Sequence, residues 1–234
     1  MPTSDVTGAI DYAAVPYLPY ERPHTQITIS RILPSPIIST ITSSVSSAFS
    51  HHGIHAKLVE IMQNVVLFAQ SIKYASHSAL RFDPQEFSDD MYWIEYQLLT
   101  FPNLASQESE PSISKATRMG ALLFMKSILQ EFPHSTTGPE ILLRELRDAL
   151  SAVEEDEDDH NRQWLLWLCA IGALLAKRMT REWFVGRLAL AGGLRAREGE
   201  VVGGQLWRLL DLGEVIGERE VLLLWDEVRR LQLQ

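Results

Sequence analysis

The stretch QWLLWLCAIGALLAK, residues 163–177, brings two tryptophans three residues apart into an almost unbroken apolar run. The run is shorter than the roughly 20 apolar residues that a membrane-spanning helix needs. It is apolar nearly all round, which is typical of a helix buried on most of its sides. Gly172 and the alanines around it would let other helices approach closely. The stretch therefore predicts a central buried helix and argues against a membrane anchor.

Apolar residues recur at three- and four-residue steps through most of the chain from residue 55 onward, and this period predicts amphipathic helices. Candidate helix starts are Ser88 or Asp89 as an N-cap, Pro139 at the first helical position and Thr180, while Pro102 is a candidate stop. No segment after residue 55 alternates convincingly with a period of two. The predicted fold class is all-α, a helical bundle or array of about eight helices.

Residues 1–50 have a different composition, with six prolines and the Ser/Thr-rich stretch STITSSVSSAFS at 39–50. Proline removes a backbone donor, and Ser and Thr compete locally for backbone hydrogen bonds. We predict a poorly ordered, extended N-terminal lead-in over 1–50, with one short strand at 25–33, and a helical domain over 51–234. A signal peptide is not expected, because no basic segment precedes an apolar one.

The net charge of −9 argues against a general nucleic-acid binder, which needs a basic face to displace phosphate counterions. A single cysteine, Cys169, excludes an intrachain disulfide and any site built from several cysteines. Such a chain suits a reducing compartment, the cytosol or the nucleus.

Three patterns in the sequence are candidates for metal binding or nucleophilic catalysis, and each is better explained by a structural role. His51 and His55 are four residues apart, but no third ligand is evident. The acidic run EEDEDD at 154–159 is typical of a solvated segment. Cys169 lies within an apolar run, where a thiol behaves as a small hydrophobic group. The sequence predicts no catalytic residue, no metal site and no cofactor.

The tryptophans all fall in segments with a helical period, so core packing is their expected role. The alternative is an aromatic-lined pocket with converging polar groups such as Arg181, Glu182 or Asp226. Its candidate lining residues are Trp164, Trp167, Trp183, Trp207 and Trp225.

An ordered set of segments resembles the fungal-specific transcription factor domain that follows zinc binuclear cluster modules. The order and spacing of the segments carry the resemblance, since no single motif is specific. It covers roughly residues 55–232. The segments are YWIEYQLLTFP at 92–102, ATRMGALLFMKSIL at 116–129, LLWLCAIGALLA at 165–176, REWFVGRLALAGGL at 181–194 and LLLWDEV at 222–228.

The resemblance implies a non-enzymatic, nuclear regulatory domain that acts through protein partners of the transcription machinery. The alternative location is the cytoplasm. A separate hypothesis is a scaffold that forms a homodimer through an exposed apolar helix face. Family members carry an upstream cluster of six cysteines, which this chain lacks, so direct nucleic-acid binding by this chain is not expected. The alternative function is a helical small-molecule-binding protein or enzyme that uses the tryptophan-rich half as its pocket.

Overall fold

A computed structural model describes most of the chain. The regular secondary structure of the described residues is entirely helical. Within the described residues there are nine α-helices, one 3-10 helix and no strand, which confirms the all-α fold class. The contacts divide the chain into two compact units, Met1–Glu110 and Pro111–Gln234. The predicted boundary after residue 50 therefore falls inside the first unit. The described residues are 3–20, 22, 27–50, 54–104, 110–128, 138–153, 159–191, 210 and 218–233.

The first unit is built around the two longest helices of the described chain. Its elements are α1 (Thr3–Asp11), a 3-10 helix (Ile29–Ile32), α2 (Ser35–Ser50), α3 (Ala56–Ser78) and α4 (Pro84–Leu104). Helix α3 packs against α2, the 3-10 helix and α4, and α1 packs on α4. Helix α3 supplies much of the core of this unit through an apolar stripe that the sequence period predicted.

The prediction of an extended lead-in is wrong for Thr3–Asp11, Ile29–Ile32 and Ser35–Ser50, which are helical. The Ser/Thr-rich stretch forms α2, in which Ile41, Val45 and Phe49 are buried at four-residue steps. Hydroxyl groups that were expected to disrupt a helix instead donate to carbonyls one turn earlier, as Thr42 does to Ile38. The predicted strand at 25–33 is also wrong where it is described, since Ile29–Ile32 is a 3-10 helix.

Helices α3 and α4 begin at caps of different kinds. The ring nitrogen Nδ1 of His55 accepts a hydrogen bond from the backbone N–H of Lys57 at the start of α3. Helix α4 begins at Pro84, earlier than the predicted Ser88 or Asp89, because the carboxylate of Asp83 accepts from the next two free backbone N–H groups. Proline in the first turn loses no hydrogen bond. The helix continues past the predicted stop to Leu104.

The second unit is arranged around the helix that holds the opening stretch. Its helices are α5 (Ser112–Ile128), α6 (Gly138–Ser151), α7 (Asp159–Leu175), α8 (Arg178–Ala191) and α9 (Glu218–Gln232). Helix α7 packs against all four of the others, so its predicted central position is confirmed. The described helices include none that is both long enough and apolar enough to span a bilayer.

Candidate functional site

Trp164 and Trp167 form the centre of the second unit. Both side chains are fully buried, and their rings stack with centroids 4.9 Å apart. Trp164 Nε1 donates to the hydroxyl of Thr117 on α5 at 2.9 Å, and Trp167 Nε1 donates to the carbonyl of Leu210 at 3.0 Å. Because each indole N–H has a partner within the protein, the geometry of this pair is that of a packed core.

Two glycines show how closely the helices approach around this pair. A β-carbon on Gly120 of α5 would lie 2.3 Å from Cδ2 of Leu168, and one on Gly172 of α7 would lie 2.5–2.7 Å from the ring of Phe184. Neither position has room for a methyl group. The neighbouring helices fill the space beside the stacked indoles.

The remaining predicted pocket residues lie elsewhere on the unit. Trp183 on α8 is half-buried, with its ring perpendicular to that of Phe184 and the guanidinium carbon of Arg187 at 5.8 Å from its centroid. Trp225 on α9 is half-buried. Trp207 lies outside the described residues. The structure thus brings Trp164 and Trp167 together in the core and places Trp183 at a surface.

The polar groups proposed for that pocket have structural partners or face solvent. Arg181 donates to the carbonyl of Ala173 at 2.5 Å and to the carboxylate of Glu227 at 2.7 Å, so it joins the last turn of α7 to α9. Cations near a helix C-terminus are stabilised by its exposed carbonyls. Glu182 is exposed, and the exposed Asp226 pairs with Arg229 at 2.6 Å.

The other candidate groups are likewise structural where they are described. Burial raises the pKa of the Cys169 thiol to about 12, against a smaller opposing effect of Arg187, so the thiol is neutral at physiological pH. His55 caps α3. No three His, Cys, Asp or Glu side chains among the described residues are grouped to hold a metal ion. His51 and residues 154–158 lie outside that part of the chain.

The first unit contains a buried ion pair that sequence reasoning missed. Arg22 pairs with the fully buried carboxylate of Asp90, which also accepts from the backbone N–H of Ile29 at 2.7 Å. The guanidinium of Arg22 donates to the hydroxyl of Thr28 as well. These contacts hold Arg22 and the start of the 3-10 helix against α4. The available signal was an acidic residue, Asp90, inside the apolar stripe of α4.

Aromatic rings extend this cluster along α4. Tyr20 lies with its ring centroid 5.9 Å from those of both Trp93 and Tyr96. Burial, and then the charge of Asp89, raise the pKa of the Tyr20 hydroxyl, which is therefore neutral at physiological pH. Tyr20 and Arg22 thus cover two successive turns of the helix.

Four buried polar atoms in this region have no hydrogen-bond partner within the described chain: Nη1 of Arg22, Oδ1 of Asp90, Nε1 of Trp93 and Oε1 of Gln97. Of these, only Oδ1 of Asp90 is engaged otherwise, in the ion pair with Arg22. Trp93 and Gln97 are one turn apart on α4. Buried polar groups are nearly always hydrogen-bonded, so two donors and an acceptor of this kind suit a small polar ligand or bridging water. We refer to Tyr20, Arg22, Asp90, Trp93 and Gln97 as the α4 polar cluster.

Helix α9 presents leucines outward as well as inward. Leu224 and Val228 are buried against the unit, whereas Leu222 is 61% exposed and Leu223 is 52% exposed. Leu233, just beyond the end of the helix, is also exposed. Exposed apolar groups clustered on one element are typical of surfaces that bind other proteins.

Comparison with known proteins adds no information about these surfaces. The chain matches no protein-family model, no curated protein and no solved structure. The features of the described chain that bear on function are the packed tryptophan core, the α4 polar cluster and the exposed apolar faces of the second unit.

Proposed function

We propose that this chain is a non-enzymatic regulatory domain of the fungal transcription factor type, which acts in the nucleus by binding protein partners of the transcription machinery. The observation that carries the proposal is the outward leucine pair of α9, Leu222 and Leu223, on a unit whose tryptophans Trp164 and Trp167 are packed internally. Hydrophobic side chains exposed on a helix are the usual anchors for a helix or groove of another protein.

Two further observations support a binding role over an enzymatic one. Arg181, His55 and Cys169 are the residue types from which an acid–base or nucleophilic site would be built. Arg181 holds a helix end, His55 caps a helix and Cys169 is a buried neutral thiol. The acidic net charge of −9 supports action through proteins rather than through direct contact with DNA.

The test is a reporter assay in a fungal cell with the full chain fused to a heterologous DNA-binding domain. We expect the fusion to change reporter transcription and the double variant Leu222→Ser, Leu223→Ser to lose most of that change. Leu80→Ser is the matched control, because Leu80 is also an exposed leucine but lies in the first unit. Equal melting temperatures would show that both variants fold.

Two results would contradict the proposal. One is a wild-type fusion that leaves transcription unchanged, and the other is a Leu222→Ser, Leu223→Ser variant that behaves like the control. Sequence-specific binding of duplex DNA by the purified chain would also count against it. A fluorescent fusion excluded from the nucleus would contradict the proposed location.

A second candidate, small-molecule binding, is favoured by the α4 polar cluster rather than by the tryptophans of the second unit. The unpartnered Arg22, Trp93 and Gln97 atoms would bind a ligand that offers both an acceptor and a donor. Saturation-transfer NMR with small aromatic acids and amides as probes tests this. Binding by the wild type that is lost in Gln97→Met would support it, and an absence of binding would remove it.

A further inference from the structure

Helix α8 has two apolar faces on opposite sides. Phe184, Val185 and Leu188 are buried against the rest of the second unit. On the outer side, Met179 is 80% exposed and Leu190 is 75% exposed. With Trp183 and Gly186 between them, these outer residues follow steps of four, three and four, which place them in one line along the helix. We call Met179, Trp183, Gly186 and Leu190 the outer stripe of α8.

The glycine in this stripe has no packing reason inside the unit. A glycine within a helix costs about 1 kcal/mol relative to alanine. At Gly120 and Gly172 a neighbouring side chain occupies the space that a β-carbon would need, but a β-carbon on Gly186 would meet nothing within 4 Å. The stripe thus has a notch that is open to the outside, one helical turn from a large indole.

The indole beside the notch is already oriented. Its ring makes an edge-to-face contact with Phe184, with centroids 5.0 Å apart, and the guanidinium carbon of Arg187 lies over the indole at 5.8 Å from its centroid. A cation over an aromatic face and an edge-to-face contact each favour one ring position. The Trp183 side chain is therefore held in one orientation beside the open space at Gly186.

The stripe is complementary to itself when two copies are antiparallel. A two-fold axis that passes α8 midway between residues 184 and 185 sets Met179 opposite Leu190 of the second copy. The same axis sets Trp183 opposite Gly186, so each indole meets the notch of the other chain. Every contact then occurs twice, and the large indole of Trp183 opposes a glycine as in knobs-into-holes packing.

We propose that the outer stripe of α8 is a dimer interface for a second copy of this chain, with the two α8 helices antiparallel and each Trp183 seated at Gly186 of the other copy. A second copy is the occupant that the stripe itself specifies, because one chain supplies both the indole and the glycine that faces it, and both of the apolar residues, Met179 and Leu190, that face each other at the ends. The interface uses a different face from the α9 leucines, so it does not depend on the proposed regulatory function.

Sedimentation of the full chain over micromolar to submillimolar concentrations tests the interface. We expect a reversible monomer–dimer equilibrium for the wild type. Gly186→Glu should weaken dimerisation by about tenfold or more, because it places a charge in the centre of a packed apolar contact. The added side chain points into open space, so the monomer should fold normally.

The matched control is Gly8→Glu. Gly8 is also a helical glycine whose β-carbon would meet nothing within 4 Å, but it lies in the first unit. It should dimerise like the wild type. A wild type that stays monomeric throughout, or a Gly186→Glu variant that dimerises as well as the control, would overturn the proposal.

Disulfide trapping tests the orientation. The double variant Met179→Cys, Leu190→Cys should form an intermolecular disulfide under mild oxidation, because the two positions face each other across the axis. Met179→Cys alone should not, since its two copies would be about 16 Å apart at 1.5 Å of rise per residue. Efficient cross-linking of that single variant would contradict the antiparallel arrangement. Cys169 is buried and does not compete.

Discussion

The ring of Phe184 on α8 lies directly over Gly172 on α7, so close that a β-carbon at that glycine would be 2.5–2.7 Å from three ring atoms. This contact couples the central helix of the second unit to the helix that follows it. The absence of a side chain at one position in α7 therefore sets the distance between the two helices.

Substitution at Gly172 is expected to destabilise the second unit. Gly172→Leu should lower the free energy of unfolding by about 1–3 kcal/mol, because an overpacked core moves side chains from their preferred rotamers. Urea denaturation followed by circular dichroism measures it. Gly186→Ala at low protein concentration is the control, and it should be neutral or stabilising because its methyl group meets nothing. An unchanged unfolding midpoint for Gly172→Leu would show that Phe184 can move aside.

Loss of the buried ion pair should destabilise the first unit more than any surface change. Asp90→Asn leaves the buried guanidinium of Arg22 without its counter-charge, which typically costs about 3–5 kcal/mol. Asp89→Asn is the neighbouring control and should cost less than about 1 kcal/mol, because Asp89 is partly exposed. The double variant Arg22→Met, Asp90→Asn should recover part of the loss in chemical denaturation. Equal losses of stability in Asp90→Asn and Asp89→Asn would rule out a stabilising role for the ion pair.

The hydroxyl of Thr117 is expected to stabilise the second unit because it accepts the hydrogen bond of the buried Trp164 indole. It donates to the carbonyl of Ile113 at 2.8 Å and accepts from Trp164. Thr117→Val keeps the shape but leaves a buried N–H unpaired, at a cost of about 1–3 kcal/mol. Thr100→Val is the control, since Thr100 makes the same back-bond, to Tyr96, in the other unit. Thermal unfolding that affects both variants equally would contradict this role.

The Cys169 thiol should be unreactive in the native protein and should make stability decrease at high pH. Its pKa is about 12 in the folded chain and 9.0 as a free group. Between these values the unfolded chain loses the proton while the folded chain keeps it, so unfolding is favoured as pH rises. Within that window the thiol lowers the free energy of unfolding by up to about 1.4 kcal/mol for each pH unit. Below pH 9 its effect on the free energy of unfolding does not change with pH.

Two measurements check this expectation. A thiol reagent at pH 8 should react slowly with the native protein and rapidly in urea. The difference in stability between the wild type and Cys169→Ala should change from pH 9 to pH 12, which separates the thiol from tyrosines and lysines that titrate nearby. Rapid labelling of the native protein would show that the thiol is accessible.

The helices of the second unit could be predicted because their local signals agree. Proline in the first turn of α6 and the apolar period of α7 each point to the observed element. Helix α2 was missed because its composition outweighed a short period in which Ile41, Val45 and Phe49 recur every four residues. Serine and threonine are tolerated there because the helix itself provides acceptors for their hydroxyl groups.

The candidate sites were only partly predictable, because they depend on pairs distant in sequence. The burial of Trp164 and Trp167 follows from their helix, but their partners Thr117 and Leu210 do not. The ion pair of Arg22 with Asp90 joins a proline-rich segment to a helix that looks amphipathic by itself. Periodicity identifies which face of a helix is buried, but it carries no information about which distant residue faces it.

The stacking of Trp164 on Trp167 also equips the protein with an optical probe of its own state. Fully enclosed indoles emit at shorter wavelengths than hydrated ones and are shielded from soluble quenchers, so loss of this stack should shift the emission to the red. Trp183, at the outer surface of α8, should be reached by acrylamide. Its quenching would fall whenever another molecule covers that helix, and comparison with Trp183→Phe would isolate the change. Emission wavelength and acrylamide quenching together can thus distinguish unfolding of the core from association at the surface.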